Sequence, residues 1–312
     1  MWSVDDIPDL TGRTAVVTGA NSGIGFPTAL ELARHGARVI VASRDPDRGR
    51  AAVGQILERA PGAHTEFERL DLADLGSVRA FAEAIGSRLD GLDLLVNNAG
   101  VGMIPRSTTA DGFETQLGTN HFGHFALTGL LMPLLLARTC PRVVTVASDA
   151  HKMGRLDFDD LELRRGYGRM SAYGRSKLAN LLFAFELQRR AGSRLLSVAT
   201  HPGATATDIV KLGPLSGVLK ALLRVAMQPP EAGALPSLYA ATSPEIRGGE
   251  FLGPKLKLPA TSAAARDEAL ARRLWTVSEE LTGVQFPDLA AYPRPRGAAE
   301  QATEQATEQA AE

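Results

Sequence analysis

The sequence predicts a single-domain α/β fold, a doubly wound parallel sheet with helices on both faces. Three observations carry that expectation. Short, nearly continuous apolar runs alternate with longer segments of 3.6-residue period, as expected for strands buried on both faces and the helices that cover them. The first apolar run leads directly into a glycine-rich turn and a helix. No break in composition divides positions 12 to 290 of the 312-residue chain, so one sheet accounts for it.

The elements follow in order. Strand Thr14–Thr18 precedes a helix over Ile24–His35, and strand Arg38–Ser43 precedes one over Pro46–Arg59. Thr65–Leu70 and Leu92–Asn97 are the third and fourth strands, followed by helices over Leu75–Arg88 and Asp111–Ala137. Arg142–Ala147 and Leu195–Thr200 complete six strands, separated by a helix over Ser171–Ala191. Two insertions interrupt the rhythm, at about 151–170 and 205–230, both after strand ends. Insertions there are where α/β folds build substrate sites, and a pair of lids is the expectation, with surface decoration as the competing reading. Positions 1–296 are read as the domain. Positions 297–312, which repeat EQAT, form a low-complexity tail with almost nothing to bury.

Composition narrows the function. With 34 basic against 35 acidic residues the chain has no basic field for nucleic acid. Cys140 is the only cysteine, and His121, His124, His151 and His201 show no metal-ligand spacing, so no disulfide and no metal site is expected. The acidic start lacks a signal-peptide pattern. The most apolar stretch, Phe125 to Ala137, has 13 residues and a proline, short of the ~20 that span a bilayer. No membrane anchor and a cytoplasmic location are the expectations.

Chemistry concentrates at strand ends. The turn Gly19-Ala20-Asn21-Ser22-Gly23-Ile24-Gly25 joins the first strand to its helix. Glycines there allow a tight turn and close backbone approach to a phosphate, and the helix end offers free N–H groups. Ser148 stands one residue past the fifth strand. Tyr173 and Lys177 lie four residues apart, hence on one helix face. A phenol is a weak acid near pH 7, and a neighbouring ammonium that lowers its pKa makes it a usable proton donor. A Tyr–Lys pair on an exposed helix is common, but this chain has only four tyrosines and six lysines, and the pair follows a serine at a strand tip.

Thr18-Gly19-x3-Gly23-x-Gly25, Asn97-Asn98-Ala99-Gly100 and Tyr173-x3-Lys177 together resemble the short-chain dehydrogenase/reductase family, from about Gly12 to Pro287. The resemblance implies a Rossmann-type fold and a catalytic set of Asn120, Ser148, Tyr173 and Lys177. Ser148 and Tyr173 would bind the substrate carbonyl, Lys177 the nicotinamide ribose, and Asn120 a water that reconnects Lys177 to solvent. It also implies cofactor contacts from Gly19, Asn21, Ser22, Gly23, Ile24 and Gly25, from Asp71 and Leu72 at the adenine, and from Asn98, Ala99 and Gly100. Tyr173, Lys177, Pro202 and Gly203 would lie at the nicotinamide, with Thr205 a carboxamide or phosphate contact. Adjacent asparagines at positions 97 and 98 could equally be turn residues.

At the tip of the second strand stand Ser43 and Arg44 rather than an acidic residue, which favours NADP(H) over NAD(H). Asp45 is the dissenting neighbour. The interval of 25 residues from Ser148 to Tyr173 is similar to the retinol-dehydrogenase and WW-domain-oxidoreductase-like branch. That branch implies a lipophilic carbonyl or alcohol substrate, and Leu156, Phe158, Leu215, Val218, Leu219 and Leu222 are candidates to line its site or simply to pack. Its retinoid-handling members carry an N-terminal anchor not seen here, so retinoid activity is not carried over. Family members often pair through the helices here at 111–137 and 171–191, making a homodimer or homotetramer an expectation. The functional expectation is an NADP(H)-dependent ketone or aldehyde reductase; the alternative is a non-catalytic NADP(H)-binding sensor or scaffold.

Overall fold

In the computed structural model residues 2–204 and 228–289 are described. Thr205, the stretch 215–227 and the EQAT tail lie outside them. The centre is a seven-stranded sheet, all neighbours parallel, in the order β3-β2-β1-β4-β5-β6-β7. The strands are β1 (Thr14–Thr18), β2 (Arg38–Ser43), β3 (Thr65–Arg69), β4 (Leu94–Asn97), β5 (Arg142–Val146), β6 (Leu196–Thr200) and β7 (Phe251–Leu252). Every residue of β1 and β4 is buried, which explains their unbroken apolar runs. Burying one such Val or Leu contributes about 1.5–3 kcal/mol. Strand order reverses between β1 and β4, and the carboxyl edge at such a reversal is where open α/β sheets bind ligands.

Helices α1 (Gly25–Arg34), α2 (Pro46–Arg59) and α3 (Leu75–Gly86) follow the first three strands as expected. The expected helix over 111–137 is instead composite: α4 (Thr115–Leu117), a π turn at Gly118–Phe122 and α5 (Gly123–Leu136). Residues 111–114 stay out of it because the Glu114 carboxylate caps α4, accepting from the Gln116 and Leu117 amides at 2.9 Å each. Helix α6 (Arg169–Ala191) carries the Tyr–Lys pair.

Beyond the 205–230 insertion the sequence pattern marks no helix or strand, and the structure adds three elements: α7 (Pro230–Thr242), β7 and α8 (Glu268–Thr282). Helix α8 lies across α5 and α6. Its Trp275 stacks on Phe183 at 5.9 Å and meets Phe125 edge-on at 5.1 Å. Just past it, Val284 and Phe286 sit against Gly129, where a Cβ would come within 2.6 Å of Val284 Cγ1. Both helices expected to pair subunits are thus in contact with α8 of the same chain.

The insertion after β5 is packed, not draped. It holds two short 3-10 turns, Asp149–Met153 and Phe158–Asp160. Buried Arg175 donates from Nη1 to the carbonyls of Asp160 and Leu161 at 3.0 Å, and the Tyr167 hydroxyl donates to Ile104 O at 3.0 Å. Leu156 and Phe158 pack against the cluster that includes Leu161 and Leu178, the packing alternative for these two side chains.

Candidate active site

The glycine turn takes the shape its residues allow. Gly19 (φ 65°) and Gly23 (φ 57°) are left-handed, a region costly for side chains with a Cβ. At Gly25 a Cβ would strike the Gly19 carbonyl oxygen and Asn98 Nδ2, so helix and strand could not close up. Asn21, Ser22 and Gly23 line the half-buried rim, and Ile24 is buried. Helix α1 has no side-chain cap at Ile24, whereas Asp45 caps α2 and Asp74 caps α3. A glycine cradle ending in uncapped amides fits a pyrophosphate, so these residues suit the implied dinucleotide.

Thr18 organises the next layer. Its Oγ accepts from the Asn98 and Ala99 amides at 2.9 Å each, while Asn98 Nδ2 donates to Thr18 O at 2.7 Å. Asn97 Nδ2 donates to Thr128 Oγ at 3.0 Å. The NNAG segment therefore ties β4 to β1 and leaves Gly100 facing the catalytic candidates. His124, unassigned by sequence, extends the tie. Its Nδ1 donates to Asn120 O at 2.9 Å, leaving Nε2 to accept the Thr18 hydroxyl at 2.9 Å. Burial pushes its pKa down to about 4, so the ring is neutral.

Asn120 lies in the π turn, fully buried. Its Oδ1 accepts from Val101 N at 2.8 Å, and its Nδ2 donates to Val101 O at 2.8 Å and Ser176 Oγ at 2.9 Å. That side chain is fully taken up in fastening the strand β4 loop to α6. A Cβ on Gly100 would lie 3.1 Å from Asn120 Oδ1 and 3.7 Å from Lys177 Nζ, so the two candidates meet around this glycine.

Ser148, Tyr173 and Lys177 converge as their spacing predicts. Ser148 Oγ accepts from Ala150 N at 3.2 Å, which leaves its proton for the Tyr173 phenol, its hydrogen-bond partner. Lys177 Nζ lies 5.7 Å from the centre of the Tyr173 ring and donates to Val146 O at 2.9 Å. Burial pushes the ammonium down to about 8. The tyrosine differs from expectation: burial raises its pKa and the Ser148 bond opposes the rise. Lys177 Nζ meanwhile turns onto a backbone carbonyl of β5.

The Ser148 turn presses closely on α6. A Cβ on Gly174 would lie 2.6 Å from Ala150 O, and one on Gly154 would strike Gly174 O. These two glycines, which sequence inspection passed over, set how near the serine comes to the tyrosine. Nothing in their local sequence marks them, since the contact joins segments 20 residues apart.

At the tip of β2, Ser43 is buried and Arg44 exposed. Asp45, the dissenting neighbour, caps α2: its Oδ1 accepts from Asp47 N at 3.0 Å and Arg48 N at 3.1 Å. Past β3, Asp71 Oδ1 accepts from Ala73 N at 3.0 Å, and the Leu72 carbonyl lies against Gly123, where a Cβ would collide with it. Past β6, Gly203 is left-handed (φ 77°) and Gln228 Nε2 donates to Pro202 O. Thr205 lies outside the described residues. His201 Nε2 approaches Asp149 Oδ2 at 3.5 Å, bridging this loop to the Ser148 turn.

The family model of the short chain dehydrogenase matches residues 13–213. Human "Retinol dehydrogenase 13" is 42% identical over 298 residues, covering 92% of this chain and 89% of its own. A crystal structure of an uncharacterized protein from Mycobacterium Paratuberculosis is 44% identical with a TM-score of 0.77, covering 92% of this chain and 99% of that one. A short chain dehydrogenase from Shigella flexneri, complexed with NADP, is 25% identical with a TM-score of 0.64, covering 78% and 98%. The cytoplasmic location expected from sequence is corrected by these relatives. The curated ones are retinol dehydrogenases. No helix among the described residues is long and apolar enough to cross a membrane, and that observation does not assign a location.

Proposed function

The chain belongs to the short-chain dehydrogenase family, and from that premise we propose that it is an NADP(H)-dependent oxidoreductase interconverting a lipophilic ketone or aldehyde and its alcohol, with Tyr173 as acid–base. The observation that carries the proposal is the meeting of Ser148 and Tyr173 on the face of α6 that also carries Lys177, whose Nζ lies 5.7 Å from the Tyr173 ring.

Each residue has a task set by its bonds. Ser148, its oxygen held by Ala150 N, would turn its proton from the Tyr173 phenol to a substrate carbonyl oxygen when one binds. Tyr173 holds its phenolic proton at neutral pH, because burial raises its pKa, and releases it only to an oxygen that is becoming an alkoxide. Lys177, at about 8, is poised to return a proton. Bound NADP(H) supplies or accepts the hydride. Gly19, Gly23 and the uncapped amides of α1 would hold its pyrophosphate, and Arg44 its 2′-phosphate, with Asp45 occupied as a cap. Support for NADP(H) comes also from the Shigella flexneri relative's complex with NADP.

The lipophilic substrate class rests on the retinol dehydrogenase relatives and on exposed apolar side chains near the site. Met153 closes the Ser148 turn, and Met170 opens α6; they are 54% and 43% exposed. A panel of aliphatic, aromatic and polyene carbonyls, followed by NADPH absorbance, tests the reading. Consumption that rises with substrate lipophilicity is expected. Tight NADPH binding without turnover of any member would favour a sensor instead.

A further inference from the structure

We infer that His151 is a positioning residue for the active-site serine: its buried imidazole ties the carbonyl of Ser148 to the backbone at Ser262 and so fixes where Ser148 presents its hydroxyl. The inference rests on the reductase reading, which gives Ser148 its task.

Ser148 stands two residues beyond β5, at the cap of a 3-10 turn of five residues. So short a turn has little stability of its own. Among the described residues, both hydrogen bonds to the Ser148 carbonyl come from His151: the main-chain N–H at 3.0 Å and Nδ1 at 2.8 Å. A carbonyl accepts only, so Nδ1 carries the proton. Nε2 of the neutral ring then accepts, and Ser262 N donates to it at 3.2 Å. The ring stands edge-on to Phe251 of β7 at 5.6 Å and has no exposure to solvent.

The imidazole thus spans 111 residues of sequence, from the Ser148 turn to the segment after β7. A fixed peptide plane at Ser148 fixes its Cα–Cβ direction, and with it the alignment of Oγ toward Tyr173. The charged and titratable neighbours do other work. Asp149 faces Lys152 and His201, and neither contacts the His151 ring nitrogens.

The test is a double-mutant cycle with two readouts. His151→Ala is expected to lower kcat ~10-fold with KM for NADPH within about twofold, because misplacement of a reacting group costs rate rather than cofactor binding. In a Ser148→Ala background the same change is expected to cost less than about twofold, since the group it positions is gone. Asparagine places its amide N–H near Nδ1, whereas glutamine places its amide near Nε2. His151→Asn is therefore expected to retain most of the rate and His151→Gln to lose it, a contrast that stands even if the alanine variant fails to fold.

The second readout does not need turnover. Titration of the Tyr173 phenol, taken as the absorbance difference from the matching Tyr173→Phe protein, is expected to move upward in His151→Ala as in Ser148→Ala, with no further rise in the double variant. Equal losses in both backgrounds, an unmoved phenol, or asparagine no better than glutamine would overturn the inference. A wild-type protein inert toward every carbonyl would refute the reductase reading alone, and the titration would still decide this one.

Discussion

The nucleotide half and the substrate half of this molecule meet at the carboxyl edge of the sheet but are built differently. Around β1, β2 and β4 the shape comes from backbone: left-handed Gly19 and Gly23, a glycine at 25 against a carbonyl, and an uncapped helix end. Around β5 and α6 it comes from side chains reaching far along the chain. Arg175 holds Asp160 and Leu161, Tyr167 holds Ile104, His151 holds Ser262, and His121 meets Ser278 at 2.9 Å across 157 residues. On the proposed reading the first half would meet what all members of a cofactor class share. The second can vary residue by residue, as a substrate site must.

Substitutions in the two halves are therefore expected to fail differently. Gly25→Ala puts a methyl into backbone and Asn98, neither of which can move aside. It is expected to cost about 1–3 kcal/mol of stability and to abolish measurable NADPH binding by fluorescence titration. Gly174→Ala presses on Ala150 O in the Ser148 turn, so NADPH affinity is expected to hold while kcat falls ~10-fold. If Gly174→Ala instead weakens NADPH as Gly25→Ala does, the division between the halves is wrong.

Arg44→Ala sharpens the nucleotide side. Loss of a charge-assisted contact is worth about 1.5–3 kcal/mol, or ~10–100-fold. That loss is expected for NADPH and not for NADH. Equal losses would remove the phosphate contact.

The smallest expected effect is the pH dependence of reduction. Lys177 loses its proton as pH rises through about 8, while burial keeps the Tyr173 phenol protonated beyond its ordinary value. Reductive kcat is expected to be level below about 8 and to decline above it. A decline that begins only where phenols ordinarily titrate would assign the limb to Tyr173.

Legibility in the sequence follows the same division. Strands β1, β2, β4, β5 and β6 announce themselves as apolar runs, and the glycine turn as a local pattern, whereas β3 at the sheet edge alternates charged residues with Phe67. Strand β7 is two residues long and carries no periodic signal. Helix α7 is buried along most of its length and built largely of small residues, with Pro236 inside, so it shows no polar face to read. Helix α8 was within reach: Asp267 caps it, Gly283 ends it, and Ala271, Leu274, Trp275 and Ser278 form its buried stripe. So was the role of Asp45, an acidic residue directly before a proline that opens a helix. The Tyr–Lys pair is legible because helix geometry fixes its reach. The π turn at Asn120 and the bonds of His124 and His151 are not, because each depends on a partner 19 to 111 residues away.

The proposed proton transfer depends most directly on Tyr173. Wild type and Tyr173→Phe should be compared for NADPH binding and for single-turnover oxidation of NADPH with a lipophilic ketone. The phenylalanine variant is expected to bind NADPH within about twofold of wild type and to lose at least ~10³-fold in turnover, the scale of a lost acid–base group with its electrostatics. A variant that keeps more than a tenth of the wild-type rate would contradict the assignment of Tyr173 as the proton donor.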